Sequence, residues 1–268
     1  MFAHKLVIVK GAGDIASGVA WRLFRCGFPV VMTEIARPTA VRRHVAFAEA
    51  IYDGFARVEN VRARRIPDPD EAEDVLHAGE LPIIIDPSAS IVERLKPQVV
   101  VDAIIAKRNL GTRITDAPLV IALGPGFTAG SDVHAVVETL RGARLGRVIR
   151  EGSAEPDTAE PEPVAGFGAE RVLRSPADGC IRTYYEIGDF VHRGVLLAEI
   201  MGQPVSAPFD GTIRGLLREG LVVHKGMKIG DVAPGVRREL CRQISDKALA
   251  VAGGVLEAIL TEMAGGAK

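Results

Sequence analysis

Residues 5–21 read KLVIVKGAGDIASGVAW, and this stretch decides the fold class. Residues 6–9 are apolar throughout and read as a short buried strand. A G-x-G-x-x-A motif follows (Gly11, Gly13, Ala16), and a helical pattern opens at Ile15. Each small residue has a physical reason. Gly11 permits the tight turn and Gly13 lets the backbone approach a pyrophosphate. Ala16 leaves room for helix and strand to pack closely, while the helix N-terminus offers free N–H groups and partial positive charge. Glu34 closes the second strand 21 residues after Gly13, where a carboxylate would hydrogen-bond ribose hydroxyls and favour NAD. Arg37 nearby keeps NADP open. Asp14 suits the helix dipole but also sets a negative charge near any pyrophosphate. The plainer reading is that the glycines only allow close strand–helix packing.

Outward from this motif, residues 30–34, 83–86, 99–103, 119–123 and 147–150 repeat the apolar strand pattern, rich in Val and Ile. Apolar runs without alternation are expected of parallel strands buried on both faces. Helical stretches at 15–26, 39–52, 70–78 and 132–141 fall between them, and 56–66 reads as a short hairpin. The expected class is therefore α/β, with a Rossmann-like parallel sheet over residues 1–150. Residues 151–168 (EGSAEPDTAEPEPVAGFG) carry three prolines and five acidic residues and read as a linker. From 169 to 234 the chain repeats itself. Residues 175–200 align with 207–232 at nine of 26 positions, including Asp178/Asp210, His192/His224 and Gly194/Gly226. Two copies of short strands with D-G turns predict a small quasi-symmetric β domain. Residues 235–268 read as a helical segment, with Gly253-Gly254 a weak point inside it.

In an open α/β sheet the ligand crevice lies beyond the carboxyl ends of the strands. Two further strands end there in unusual sequence. One leaves Asp102, Lys107, Arg108 and Asn109, and Lys107 and Arg108 offer cations to a phosphate or carboxylate. The other leaves Gly124, Pro125, Gly126, Phe127 and Thr128 before the expected helix at 132–141, a second anion cradle. Ordinary capping of a solvated loop is the competing reading. Cys26, Cys180 and Cys241 are widely spaced and odd in number, so no disulfide framework is expected. His192 and His224 read as surface turns, and no metal site is expected. No nucleophile-elbow, zincin or P-loop motif occurs.

The 268 residues hold 47% hydrophobic and 25% charged side chains, with 33 Lys+Arg against 34 Asp+Glu. That balance fits a globular protein of about two domains and argues against nucleic-acid or membrane partners recruited by bulk charge. The N-terminal apolar run is too short for a signal peptide, so a cytoplasmic protein is expected.

The repeat resembles the biotinyl/lipoyl-type barrel-sandwich hybrid domain. Its central hairpin, Met201-Gly202-Gln203-Pro204, has no lysine, so neither biotin nor lipoate is expected. The chain as a whole resembles the YqeB family, accessory proteins of selenium-dependent molybdenum hydroxylase systems. The matching stretches are GAGDIASGVAWRL, EIARPTAVRRHVAFAEAIYDG, VVDAIIAKRNLGT, ALGPGFTAGSDVHAVVETLRGARLGRVI and ISDKALAVAGGVLEAIL. The first domain is also similar to the Rossmann domain of XdhC-type proteins. An Asn-Thr-Gly-like turn of the family reads Asp157-Thr158-Ala159 here. The resemblance implies a pathway rather than a reaction: maturation of a molybdenum hydroxylase, with its subunits as partners and the molybdenum cofactor or a nucleotide as ligand. An NAD(P)-dependent oxidoreductase is the alternative, and an empty-loop scaffold a third. Homo-oligomerisation is left open.

Overall fold

The computed structural model describes Phe2, residues 4–157 and residues 167–265. Residues 158–166 of the expected linker, with Thr158 and Ala159 of the turn just quoted, lie outside the described residues. The chain divides into two compact units that are not contiguous in sequence. Unit 1 takes Met1–Pro38, Ala46–Asp157 and Ile244–Lys268; unit 2 takes Thr39–Val45 and Thr158–Gln243.

Unit 1 is built on a nine-stranded sheet. Its strands are β1 (Val7–Lys10), β2 (Val30–Glu34), β3 (Phe55–Val58), β4 (Val61–Arg65), β5 (Leu81–Ile85), β6 (Val99–Asp102), β7 (Leu119–Leu123), β9 (Ala135–Val137) and β10 (Val148–Ile149). They lie in the order β10-β9-β7-β6-β1-β2-β5-β4-β3. Strand β8 (Thr128–Ala129) pairs with β11 (Gly152–Ser153) apart from this sheet. The helices are α1 (Asp14–Arg25), α2 (Ala50–Asp53), α3 (Ala72–His77), α4 (Ile91–Leu95) and α5 (Asp246–Met263).

The sheet is mixed, and this corrects the expected fold class. Strand β3 runs antiparallel to β4, and β10 runs antiparallel to β9. No helix crosses from β6 to β7, where a loop and a 3-10 turn (Ile114–Asp116) serve instead. The helix expected at 132–141 is strand β9. The stretch expected as a helix over 39–52 is extended at first, then two 3-10 turns and the short α2, and its first part joins unit 2. The apolar runs did signal strands buried on both faces. The cover over β7, β9 and β10, however, comes from α5 at the far end of the chain. Glycines allow that cover to come close. A Cβ at Gly18 of α1 would stand 2.8 Å from Ala248 Cβ of α5, and one at Gly254 would stand 2.2 Å from Gly146 O. Of the expected weak point in α5, Gly254 is thus a packing requirement while a Cβ at Gly253 would meet only Arg22 at 3.8 Å, and the helix runs unbroken through both.

Unit 2 consists of two four-stranded antiparallel sheets, in place of the barrel-sandwich hybrid expected from the repeat. One has the order β12-β19-β17-β14 and the other β16-β15-β13-β18. The strands are β12 (Val172–Arg174), β13 (Gly179–Thr183), β14 (Phe190–Val191), β15 (Leu196–Ile200), β16 (Gln203–Ser206), β17 (Gly211–Leu216), β18 (Val222–Val223) and β19 (Lys228–Ala233). The repeat halves exchange strands: β14 of the first pairs with β17 of the second, and β18 of the second pairs with β13 of the first. The turns are exchanged likewise. Asp210 accepts from Arg193 N at 2.7 Å and Asp178 accepts from Lys225 N at 2.7 Å. Each half therefore completes the other, which explains why the D-G and H-[RK]-G signatures occur twice.

Candidate functional site

The glycine loop lies between β1 and α1, as the sequence indicates. Gly11 has φ +92°, and a Cβ there would come 3.1 Å from Ala103 O and 3.2 Å from Ile104 Cα. Both the backbone and the neighbouring chain therefore demand glycine. Gly13 differs. It caps α1 with φ −64° and ψ −177°, conformations open to any residue, and an added Cβ would meet nothing within 4 Å. Among the described residues no steric contact requires glycine at 13, where its role is that of the helix cap. Ala16 is buried, and Ser17 ties the loop down by donating to Ala12 O at 3.0 Å and accepting from Phe47 N at 2.8 Å. The Asp14 carboxylate turns back onto Ile15 N at 3.0 Å.

Glu34 does not stand clear of this loop. One carboxylate oxygen accepts from Ala12 N at 2.8 Å and the other from Ile35 N at 2.7 Å. Burial raises its pKa above the ordinary 4.5, against the opposing pull of these two amides. The residue expected on a ribose thus already satisfies one loop amide, leaving its remaining lone pairs for hydroxyl donors.

A strap from Ala103 to Thr112 crosses beside Gly11. Ile105 (φ 59°) and Lys107 (φ 61°) both hold left-handed backbone, which costs about 1–2 kcal/mol each for residues with side chains. Asn109 folds the strap back: its side chain accepts from Gly111 N and Thr112 N and donates to Thr112 O, each at 2.8 Å. That turn delivers Thr112 to the strand ends, where it donates to Asp102 Oδ2 at 2.6 Å and accepts from Lys10 Nζ at 2.5 Å. Lys10 and Asp102 stand 3.8 Å apart, and all three residues are 4% exposed or less. Sequence reasoning named Asp102 and missed both partners. A lysine closing an otherwise apolar strand immediately before the glycine motif was the available signal.

Gly124, Gly126 and Phe127 belong to the loop after β7. Gly124 (φ +73°) faces Thr139, and a Cβ at Gly126 (φ +104°) would stand 2.5 Å from Arg108 N. Gly126 is thereby what lets this loop rest on the strap at Lys107 and Arg108. Pro125 is half-buried between them, while Phe127 is drawn into the sheet core. Thr128 N donates to Asp132 Oδ2 at 2.8 Å, and the chain continues into β9. No helix N-terminus follows, so the cradle expected there lacks its dipole. Lys107 is exposed and paired with Asp157 at 2.5 Å; Arg108 is exposed.

The glycine loop, the strap and the 124–128 loop therefore meet at the carboxyl ends of β1, β6 and β7. Three loops thus converge at neighbouring strand ends, beside a strand–glycine loop–helix unit. Among the described residues no group of three or more His, Cys, Asp or Glu side chains could hold a metal ion, and no helix is long and apolar enough to cross a membrane.

No family model matches the chain. Over 265 residues it is 49% identical to the uncharacterized protein YqeB of Escherichia coli (strain K12), a span of 99% of this chain and 49% of that protein. The chain thus covers about half the length of the curated relative it matches, and the identity supports the YqeB resemblance. Two solved structures are similar at a distance. An aspartoacylase family protein of Mesorhizobium loti is 11% identical, covering 87% of this chain and 86% of that chain, with a TM-score of 0.29. A succinylglutamate desuccinylase of Silicibacter is 12% identical over the same shares, with a TM-score of 0.27.

Proposed function

We propose that the chain binds a small phosphate-bearing ligand, a nucleotide or a pterin-type cofactor, at the carboxyl ends of β1, β6 and β7. In this reading it is an accessory protein that handles the molybdenum cofactor for a molybdenum hydroxylase, whose subunits are its partners. The observation that carries the ligand site is Gly13. It caps the N-terminus of a twelve-residue helix, and the space where its Cβ would stand is open, which leaves the backbone there accessible to a guest. Helix N-termini supply amide donors and partial positive charge to phosphate. Lys107 and Arg108 hold cationic side chains on a strap locked by Gly11 and Gly126, and a phosphate would compete with Asp157 for Lys107. These donors fit a phosphate group. The molybdenum assignment rests on the stretches quoted from the sequence.

The oxidoreductase alternative needs a proton donor at the crevice. Asp102 is committed to Thr112 and Ile104 N, and Lys107 to Asp157. Titration with NAD, NADP, CTP and molybdopterin, followed by thermal stabilisation, tests the reading. Stabilisation by molybdopterin or a nucleotide without turnover is expected. No response to any of the four contradicts it.

A further inference from the structure

Unit 1 has a cavity of about 630 Å³ at the amino ends of β1 and β2, the strand ends opposite the glycine loop. Its apolar walls come from separate elements. Leu6 leads into β1, Phe24 sits in the last turn of α1, Leu76 is a half-buried residue of α3, and Leu95 ends α4. The turn at Gly27 (φ +88°) brings in Phe28, whose ring is held by stacking on Phe2 at 4.2 Å between centroids. Leu6, Leu76 and Leu95 pack on the sheet core yet are only partly buried by it. The charge here is one-sided. Asp70 and Glu73 line the cavity with His77, and none of the described residues lining it is a lysine or arginine. The source is the segment 67–80, PDPDEAEDVLHAGE, with six carboxylates and no lysine or arginine. Arg94 stands 3.2 Å from Asp68 and 2.5 Å from Asp70, while Arg62 and Arg64 pair with Glu80. The side chains of Glu71, Glu73 and Asp74 have no ion pair or hydrogen bond among the described residues.

We propose that this cavity binds a small molecule with an apolar body and one cationic head, an arylalkylammonium in class, with the ammonium at Glu73. Cavities of roughly 300–1,000 Å³ with apolar walls and a few polar groups are the usual form of small-molecule sites. A ring set against Phe24, Leu76 and Leu95 leaves water for an apolar surface. The head is drawn by the carboxylate and, secondarily, by the face of a phenylalanine. Asp70 already holds Arg94, whereas Glu73 gains an ion pair without giving one up. The site shares no residue with the glycine loop, the strap or the 124–128 loop.

The test is a calorimetric titration of the full chain with phenethylamine, 2-phenylethanol and phenylacetate at matched ionic strength. These probes share a ring and differ in head charge. Saturable binding of the amine is expected, with the alcohol about threefold weaker, the size of a solvent-exposed ion pair, and the acid weaker still. Glu73→Gln, at an exposed position, should shrink the advantage of the amine over the alcohol. Leu76→Trp should fill the cavity and abolish binding of both. No saturable binding, equal binding of the three probes, or an amine advantage untouched by Glu73→Gln overturns the proposal, whatever becomes of the crevice. Binding that survives in a folded Leu76→Trp overturns it as well, and where that variant fails to fold, Glu73→Gln decides.

Discussion

Both units set an aspartate beside a cation or imidazole and a glycine turn, with opposite accounting. In unit 2, Asp178 and Asp210 each cap the turn of the other repeat half and stand 3.7 and 3.3 Å from His224 and His192, all well exposed. Their role is complete within the fold, since each accepts the amide its turn leaves open. In unit 1, Asp102 is buried with Lys10 and Thr112, and the glycines around it fall into two kinds. Gly11 and Gly126 are explained by backbone they would otherwise strike, whereas Gly13 caps α1 and an added Cβ there would meet nothing among the described residues. On the proposed reading, the glycine with open space beside a helix N-terminus is where a guest comes close, and the hemmed-in ones serve packing.

Asp102→Ala gives the sharpest contrast. It strands the Lys10 ammonium in the sheet and should cost about 3–5 kcal/mol, read by chemical denaturation. A double variant, Lys10→Met with Asp102→Leu, should recover most of that loss. Gly126→Ala combines a left-handed backbone with a collision at Arg108 N and should cost about 2–3 kcal/mol. A near-neutral result would mean the strap yields, which breaks the distinction between the two kinds of glycine.

Glu34 gives a pH signature. Its folded pKa lies above the unfolded 4.5, so the folded state binds the proton more tightly. The stability it contributes is fully present below 4.5 and is lost as pH rises through the folded value. Glu34→Gln should flatten the pH dependence of Tm on the acid side of neutrality; an unchanged slope would show that the Ala12 amide dominates. Asp178→Asn should have the smallest effect, because an exposed pair contributes little. A large loss there would show that the exchanged turns hold the two sheets together.

The sequence made the strands of unit 1, the hairpin at β3–β4 and the repeat legible, because apolar runs and turn glycines are local signals. It misled where cover and connection are non-local. A strand buried under α5 reads the same as one buried under its own crossover helix, so the sheet was expected to be purely parallel. Residues 132–141 carry helix-compatible spacing, but His134 Nδ1 accepts from Val120 N and β9 pairs with β7, which claims them for the sheet. At the site, the motif residues were visible one by one. The Lys10–Thr112–Asp102 network was not, since Thr112 arrives only through the fold of the strap around Asn109.

Thermal denaturation of wild type and Gly13→Val, with and without saturating molybdopterin or nucleotide, tests the central claim most directly. Without ligand the variant should lose no more than about 1 kcal/mol, the cost of a poorer helix cap, and it should show none of the ligand stabilisation seen in wild type. A variant that is stabilised by ligand as wild type is would contradict the account and return the glycine loop to simple packing.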